Sequence, residues 1–237
     1  MSTETRDPEA PSILTLPAGE HLFLCGVTGC GKTTLVRYLL SRLRISDANT
    51  SIIIVDPKFE WTGIKPDRVI KKLRDLSRVK PDRDRTLLVQ LGPEESEQEH
   101  YDQLAKWIFE RGRKAKGSRQ RVYFDELNLV MQGSAPTPRM RYLLALYRQG
   151  RALGIGVMAG SQRPSGVPRV AQSESRQRYK FRLSMQDDQA RMAEYMGPAV
   201  LEPPDYPAQT CHSDPHSFWY YRDGMTSSVQ RVLKFER

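Results

Sequence analysis

A chain of 237 residues with 37 Lys+Arg against 28 Asp+Glu carries a formal charge of +9, and it is long enough for a sizeable α/β core in one or two domains. The basic excess points to a polyanionic partner without separating nucleic acid from an anionic membrane surface. No uninterrupted apolar run approaches the ~18 residues of a spanning helix, and the opening MSTETRDPEAPS lacks the design of a signal peptide, so a protein without a transmembrane segment, resident in the cytoplasm, is expected.

Residues 1–18, polar and with prolines at positions 8, 11 and 17, read as a flexible arm. An apolar run at His21–Cys25 predicts the first strand, and Leu35, Leu39 and Leu43 on one helical face predict a helix over Lys32–Arg44. The residues that join them, Gly26, Val27, Thr28, Gly29, Cys30, Gly31, Lys32, Thr33 and Thr34, match the pattern G-x-x-x-x-G-K-S/T in the strand-loop-helix context that the motif requires. A polyphosphate needs backbone N–H groups converging from a tight turn, which glycine allows at positive φ and without a Cβ in the way. The helix N-terminus behind the loop adds unpaired N–H groups and partial positive charge. Lys32 is expected to reach the β- and γ-phosphates of ATP, and the Thr33 hydroxyl to ligate Mg²⁺. Three cysteines, Cys25, Cys30 and Cys211, lack metal or redox spacing and suit a reducing compartment. Cys25 reads as a small buried strand residue and Cys30 as a loop thiol open to modification.

Ser51–Val55 (SIIIV) is a β-branched run of the kind found in parallel strands covered on both faces, and it ends at Asp56-Pro57-Lys58. A helix is expected at Asp67–Leu76, a strand at Thr86–Leu91, and a long helix at Glu94–Lys114 with acids in its first turn and bases in its last. Arg111–Arg121 (RGRKAKGSRQR) holds six Arg or Lys and no acid, the composition of either a solvated helix end or a phosphate-tracking patch. Val122–Glu126 reads as a strand closed by two acids, followed by a Gly- and Pro-rich loop at Gln132–Pro138 and a helix at Arg139–Leu153. A small-residue strand, Gly154–Gly160, ends at Ser161-Gln162-Arg163-Pro164. Beyond it a strand is expected at Tyr179–Ser184, a helix at Asp187–Tyr195 and a proline-rich stretch at Pro198–Pro207. A final hairpin with arms Ser217–Tyr221 and Val229–Phe235 turns at Asp223-Gly224. This alternation predicts an α/β fold with one mostly parallel sheet and right-handed crossovers. Residues 19–200 would form its core, and residues 201–237 a C-terminal extension of the same domain.

Ligands of such sheets bind at the carboxyl ends of the strands, where the remaining candidates fall. Asp125 is expected to hold Mg²⁺ and Glu126 to orient and polarise the attacking water. In phosphoryl transfer the protein contributes positioning and charge stabilisation more than covalent chemistry. Gln162 closes a neighbouring strand, where its amide senses the γ-phosphate or holds the water, unless it is an ordinary loop amide. Lys58 faces the nucleotide, a neighbouring subunit or only solvent.

Taken together, the P-loop, the DPK strand end, the FDE strand end and the segment GRALGIGVMAGSQRPS (Gly150–Ser165) resemble, in their order, the FtsK/HerA group of P-loop motors. The resemblance runs over roughly residues 20–196, and Ser161 stands where that group usually has Thr. It implies a RecA-like (ASCE) P-loop core and an ATPase that works as a hexameric ring translocating double-stranded DNA. The chain has no room for the extra domains of the cellular members. It looks like the genome-packaging ATPases of tailless icosahedral viruses with an internal membrane, which implies the host cytoplasm or the virion, with capsid-vertex or internal-membrane proteins as partners. Such rings complete each site with an arginine from the next subunit, and Arg178 is the best positional match, with Arg148, Arg151 and Arg182 as rivals. Arg139 and Arg141 in one loop, and Arg163 and Arg169 in another, are either pore-facing DNA contacts or simply solvated. A cellular or plasmid ATPase for DNA processing or conjugation, and a nucleotide-gated assembly protein without sustained hydrolysis, remain as other readings.

Overall fold

The apolar runs of the sequence become strands in a computed structural model that describes residues 16–114, 117, 119–204 and 216–233. In chain order the elements are β1 (Leu22–Cys25), α1 (Lys32–Ser46), β2 (Ser51–Val55), β3 (Arg68–Ile70), β4 (Thr86–Val89), α2 (Gln98–Lys114), β5 (Gln120–Phe124), α3 (Leu127–Val130), α4 (Arg141–Gln149), β6 (Ile155–Ser161), α5 (Arg169–Ser173), β7 (Gln177–Lys180), α6 (Gln186–Met196), β8 (His216–Arg222) and β9 (Val229–Leu233). The strands form one open sheet in the order β3-β4-β2-β5-β6-β1-β7-β8-β9. Pairing is parallel from β3 through β7, and β8 and β9 add an antiparallel hairpin at one edge. The strand β6 sits between the P-loop strand β1 and the acidic strand β5, which is the RecA-like arrangement. The predicted arm up to residue 15, Cys211, the prolines from Pro207 and the end of the last hairpin arm at Phe235 lie outside the described residues.

Both faces of the sheet are covered, which is why its central strands are mainly apolar. Helix α1 lays Leu35, Val36, Leu39 and Leu40 on one face, over Leu22, Leu24, Ile52 and Ile54. The other face, with Phe23, Ile53, Val122 and Phe124, is covered by α2 and α4 through Leu104, Ile108, Leu143 and Leu146. On the α1 side, Phe218 and Tyr220 of β8 extend the core through ring contacts at 5.0–5.7 Å with Tyr179 and Phe181. Among the described residues no helix is long and apolar enough to cross a membrane.

Two local expectations give way to tertiary pairing. The segment expected as a helix at Asp67–Leu76 is instead the edge strand β3 followed by a 3-10 turn at Leu73–Arg78. Pairing with β4 and two N–H groups donated to the Asp67 carboxylate, from Arg85 at 2.9 Å and Thr86 at 2.7 Å, override the helical pattern. The described part of the basic stretch at Arg111–Arg121 lies at the amino ends of the strands, away from the P-loop, and its arginines have partners within the chain. Arg111 donates to Ser51, Arg113 pairs with Glu110 and Arg119 with Asp47. Arg121 is buried, donating to the carbonyls of Leu16, Pro17 and Glu20, and a Cβ at Gly156 would meet its guanidinium at 2.3 Å.

A buried histidine makes this fold sensitive to acid. Val157 N–H donates to His21 Nδ1 at 2.9 Å, so the proton sits on Nε2, which donates to the Tyr147 carbonyl at 3.0 Å. Burial lowers the pKa of His21 to about 4, outweighing the stabilising carbonyl. An unfolded histidine titrates near ~6.5. Between these values the unfolded state binds more protons, so stability is fully present above ~6.5 and falls as the pH drops toward 4. We expect denaturant unfolding at about pH 5 to show a loss of about 2 kcal/mol relative to about pH 7.5, and His21→Gln to flatten the dependence. A parental profile unchanged over that range would show that His21 is not held neutral.

Candidate active site

The loop between β1 and α1 is held where it leaves β1 by two backbone hydrogen bonds: Gly26 N–H donates to the Ser161 carbonyl at 3.1 Å and Val27 N–H to that of Arg182 at 2.9 Å. Gly29 and Gly31 take φ of 76° and 103°, a left-handed conformation that side-chain-bearing residues avoid. Gly31 caps α1 without a side-chain hydrogen bond, and no acid stands in the first turn. The first N–H groups of the helix therefore keep their donor capacity and their positive field. Lys32 is buried in the loop, its Nζ donating to the carbonyls of Gly26 at 2.6 Å and Val27 at 2.9 Å. An inward ammonium, unsatisfied helix N–H groups and a glycine-lined cradle are the donor set that a triphosphate fits. Cys30, expected to be open to modification, is buried, and burial pushes the Cys25 thiol well up.

The carboxyl ends of β5, β6 and β2 converge on the same place. Thr33 Oγ1 donates to Asp125 Oδ1 at 3.3 Å, which joins the loop to the acidic strand across β6. That approach needs a small residue between them: a Cβ on Gly160 would lie 2.6 Å from the Asp125 carbonyl. Tyr123 also donates to Asp125 Oδ1, at 2.6 Å, and burial together with that carboxylate keeps its hydroxyl protonated, its pKa raised well above the ordinary range. A hydroxyl and a carboxylate oxygen at this separation suit a hard divalent cation such as Mg²⁺. Glu126 is 2% exposed. Its Oε1 accepts the Gln162 N–H at 2.8 Å and its Oε2 lies 2.9 Å from Lys58 Nζ. Gln162 thus meets Glu126 through its backbone, and Lys58 pairs within the chain.

Three participants carry weak signals in the sequence. Asp56, fully buried, accepts N–H groups from Lys58, Trp61 and the Gln90 side chain, and so builds the turn that presents Lys58. The Asp-Pro pair that opens this turn is its one local clue. Asn128 receives the Ser161 hydroxyl at 3.1 Å. Asp188, on α6, ties down the loop after β6 by accepting from Ser165 N–H and Oγ and pairing with Arg163 at 2.8 Å.

The candidate arginines divide into buried and exposed. Arg178 is 4% exposed; it donates to the Gln172 carbonyl at 3.0 Å, pairs with Asp223 at 2.6 Å and lies between the rings of Tyr195 and Tyr221. Arg178 is thus enclosed by partners of its own chain, whereas Arg148, Arg151 and Arg182 are exposed. Arg139, Arg163 and Arg169 pair with Glu99, Asp188 and Glu194, and Arg141 lies over the Tyr142 ring.

The family described as helicase HerA, central domain, matches residues 13–138, more than half of the chain. No curated protein matches in sequence. The fold is shared with the genome-packaging NTPase B204 of Sulfolobus turreted icosahedral virus 2, solved with ATPγS, at TM-score 0.70 and 16% identity over 91% of this chain and 98% of that one. It is also shared with the conjugation coupling protein TcpA of pCW3 (TM-score 0.61, 17% identity, 92% of this chain and 61% of that one). A third likeness is to ATPases 2 and 3 of EssC from Geobacillus thermodenitrificans (TM-score 0.58, 14% identity, 91% and 40%). The chain belongs to the helicase HerA central-domain family and is a P-loop ATPase of the FtsK/HerA type.

The loop's close packing gives a direct test. A Cβ at Gly26 would lie 2.6 Å from both Phe181 Cβ and Cys30 Sγ. We expect Gly26→Ala to weaken binding of a fluorescent ATP analogue by roughly tenfold or more while the far-UV circular dichroism stays parental. Parental affinity would show that the cradle does not depend on this contact.

Proposed function

We propose that this HerA-family chain is an ATP-driven double-stranded DNA translocase of the kind that packages viral genomes. The observation that carries the reading is the convergence of Lys32, Thr33, Asp125, Glu126 and the Gln162 backbone at adjoining strand ends. The near-complete two-way coverage with a viral genome-packaging NTPase supports the biological setting. The coverage of this chain by a conjugation coupling protein favours a second reading, a plasmid conjugation ATPase.

In this reading Lys32 leaves the loop carbonyls for the β- and γ-phosphates, exchanging neutral acceptors for charged ones. Thr33 and Asp125 are the residues that would hold Mg²⁺. Bound Mg·ATP supplies the transferable phosphoryl group and the cation that neutralises its oxygens. Glu126 orients and polarises the attacking water, and Gln162, whose backbone already touches that carboxylate, reports the state of the γ-phosphate. The subunits act as a homo-oligomeric ring, hexameric by likeness to the group. One of the exposed arginines Arg148, Arg151 or Arg182 enters the neighbouring site in place of Arg178. Residues 19–200 serve as the motor core and residues 201–237 as an extension of it, in the host cytoplasm or on the virion.

Lys32→Ala is expected to lower ATP affinity by roughly ten- to a hundredfold, the worth of a charge-assisted hydrogen bond to phosphate. Glu126→Gln is expected to keep ATP affinity within about threefold and to lower kcat by ~10²–10⁴. Titration with a fluorescent ATP analogue measures the affinities and phosphate release at saturating ATP the turnover, and a Glu126→Gln protein turning over at the parental rate would refute the role given to that residue. Duplex DNA is expected to stimulate turnover more than single-stranded DNA, with a steep loss as salt rises. Equal stimulation by single strands would favour the conjugation reading.

A further inference from the structure

Strand β5 carries a hydroxyl at a place where packing alone asks for none. Tyr123 is fully buried on the face of the sheet that α1 covers, in the same apolar cluster as Leu24, Leu35, Ile54 and Met158, with its ring centroid 5.7 Å from that of Trp61. A purely apolar side chain would serve such a cluster, and a hydroxyl brought into it costs free energy unless it finds a partner. The partner is Asp125, two residues further on, where the alternation of an extended chain returns to the same face. The phenol donates to Asp125 Oδ1 at 2.6 Å, the short length of a strong hydrogen bond to a carboxylate. The slot that admits it is narrow, since a Cβ on Gly160 would come within 3.3 Å of the Tyr123 hydroxyl. Oδ1 also receives the Thr33 hydroxyl, at 3.3 Å, whereas Oδ2 accepts no hydrogen bond from any of the described residues.

From this geometry we infer that Tyr123 is a positioning residue for the divalent cation: its hydroxyl holds the Asp125 carboxylate turned so that Oδ1 stays beside Thr33 and Oδ2 stays open. Asp125 is only partly buried, and rotation about the last bond of an aspartate is soft. The long hydrogen bond from Thr33 does little to restrain it, so the shorter one from Tyr123 sets the orientation. Outer partners of this kind fix the direction and the basicity of a group that meets a metal, and their loss costs about ten- to a hundredfold in metal affinity. Tyr123, enclosed on all sides, acts through Asp125 alone. The inference rests on the reading of Asp125 as a residue that holds Mg²⁺, and the test separates the two.

Titration of a fluorescent, non-hydrolysable ATP analogue onto the full chain, in EDTA and then across a range of Mg²⁺, reads the cation apart from the nucleotide. Tyr123→Phe is expected to keep its affinity in EDTA within about twofold of the parental value and to need roughly ten- to a hundredfold more Mg²⁺ to reach half of the Mg²⁺-dependent gain. Tyr123→Met, apolar and equally without a hydroxyl, is expected to behave alike, with parental far-UV circular dichroism in both. Asp125→Asn is expected to raise the Mg²⁺ requirement as well. Adding Tyr123→Phe to it is expected to raise that requirement no further, the non-additivity of a residue that works through another. In phosphate release, Tyr123→Phe is expected to show the same shift in Mg²⁺ requirement, with kcat at saturating Mg²⁺ within about threefold of parental. A parental Mg²⁺ requirement in Tyr123→Phe, equal losses of affinity with and without Mg²⁺, or additive effects in the double variant would overturn the positioning role and leave Asp125 in place. Failure of both Tyr123 variants to fold would also overturn it, by showing that the hydroxyl serves the core. A parental Mg²⁺ requirement in Asp125→Asn would remove the reading of Asp125, and this inference with it.

Discussion

One hydrogen bond, from Thr33 on the P-loop helix to Asp125 at the end of β5, sets the requirements for much of the sheet around it. Its partners stand on strands that are not neighbours, because β6 runs between β1 and β5. A contact across that intervening strand is possible only where its end is slim. Gly160 meets the need, since any side chain there would strike the Asp125 carbonyl. The same strand end carries the carbonyl of Ser161 that anchors Gly26, and the Gln162 N–H that holds Glu126. One small-residue strand thus fixes the distance between the cradle and the acids and also supplies a backbone donor to the second acid.

The chain's excess of positive charge divides by burial. Arg121 and Arg178 are enclosed, the first donating to three carbonyls and the second held by a carbonyl, a carboxylate and two rings. Removing a buried charge from such partners strands both sides, so these residues serve the fold. Arg139 and Arg169 are also paired, but at solvent-exposed sites. Pairs of that kind contribute about 0–1 kcal/mol and are readily exchanged for another anion. A paired surface arginine therefore still counts toward a polyanion-binding face, while a buried one does not. Lys58 falls between the two classes, partly exposed and joined to an enclosed carboxylate.

Acids do the complementary work. Asp56, Glu126 and Asp188 are each 2% exposed or less, and each collects donors from segments distant in the chain. Asp56 and Asp188 shape the turns after β2 and β6, and Glu126 joins the two. These side chains cost desolvation free energy that is offset only when every oxygen finds a donor, which explains the density of hydrogen bonds at this end of the sheet.

What the amino-acid sequence determines by itself is what backbone chemistry makes local. The P-loop, the strand that ends in Asp125-Glu126, the DPK turn and the order of strands and helices are all legible, because glycine spacing, β-branched runs and helical periodicity act within a few residues. The helix expected at Asp67–Leu76 is misread because an edge strand takes its conformation from β4, a partner later in the chain. The destinations of Lys58, Arg178 and the basic stretch at Arg111–Arg121 are likewise beyond local reading. A cation's partner is chosen by which carboxylates and carbonyls the crossovers carry to it, and Glu126, Asp223 and Glu20 lie far from these residues in the chain. Only the tertiary structure decides that the lysine after β2 faces the acid after β5, because only the sheet order makes those two strand ends neighbours.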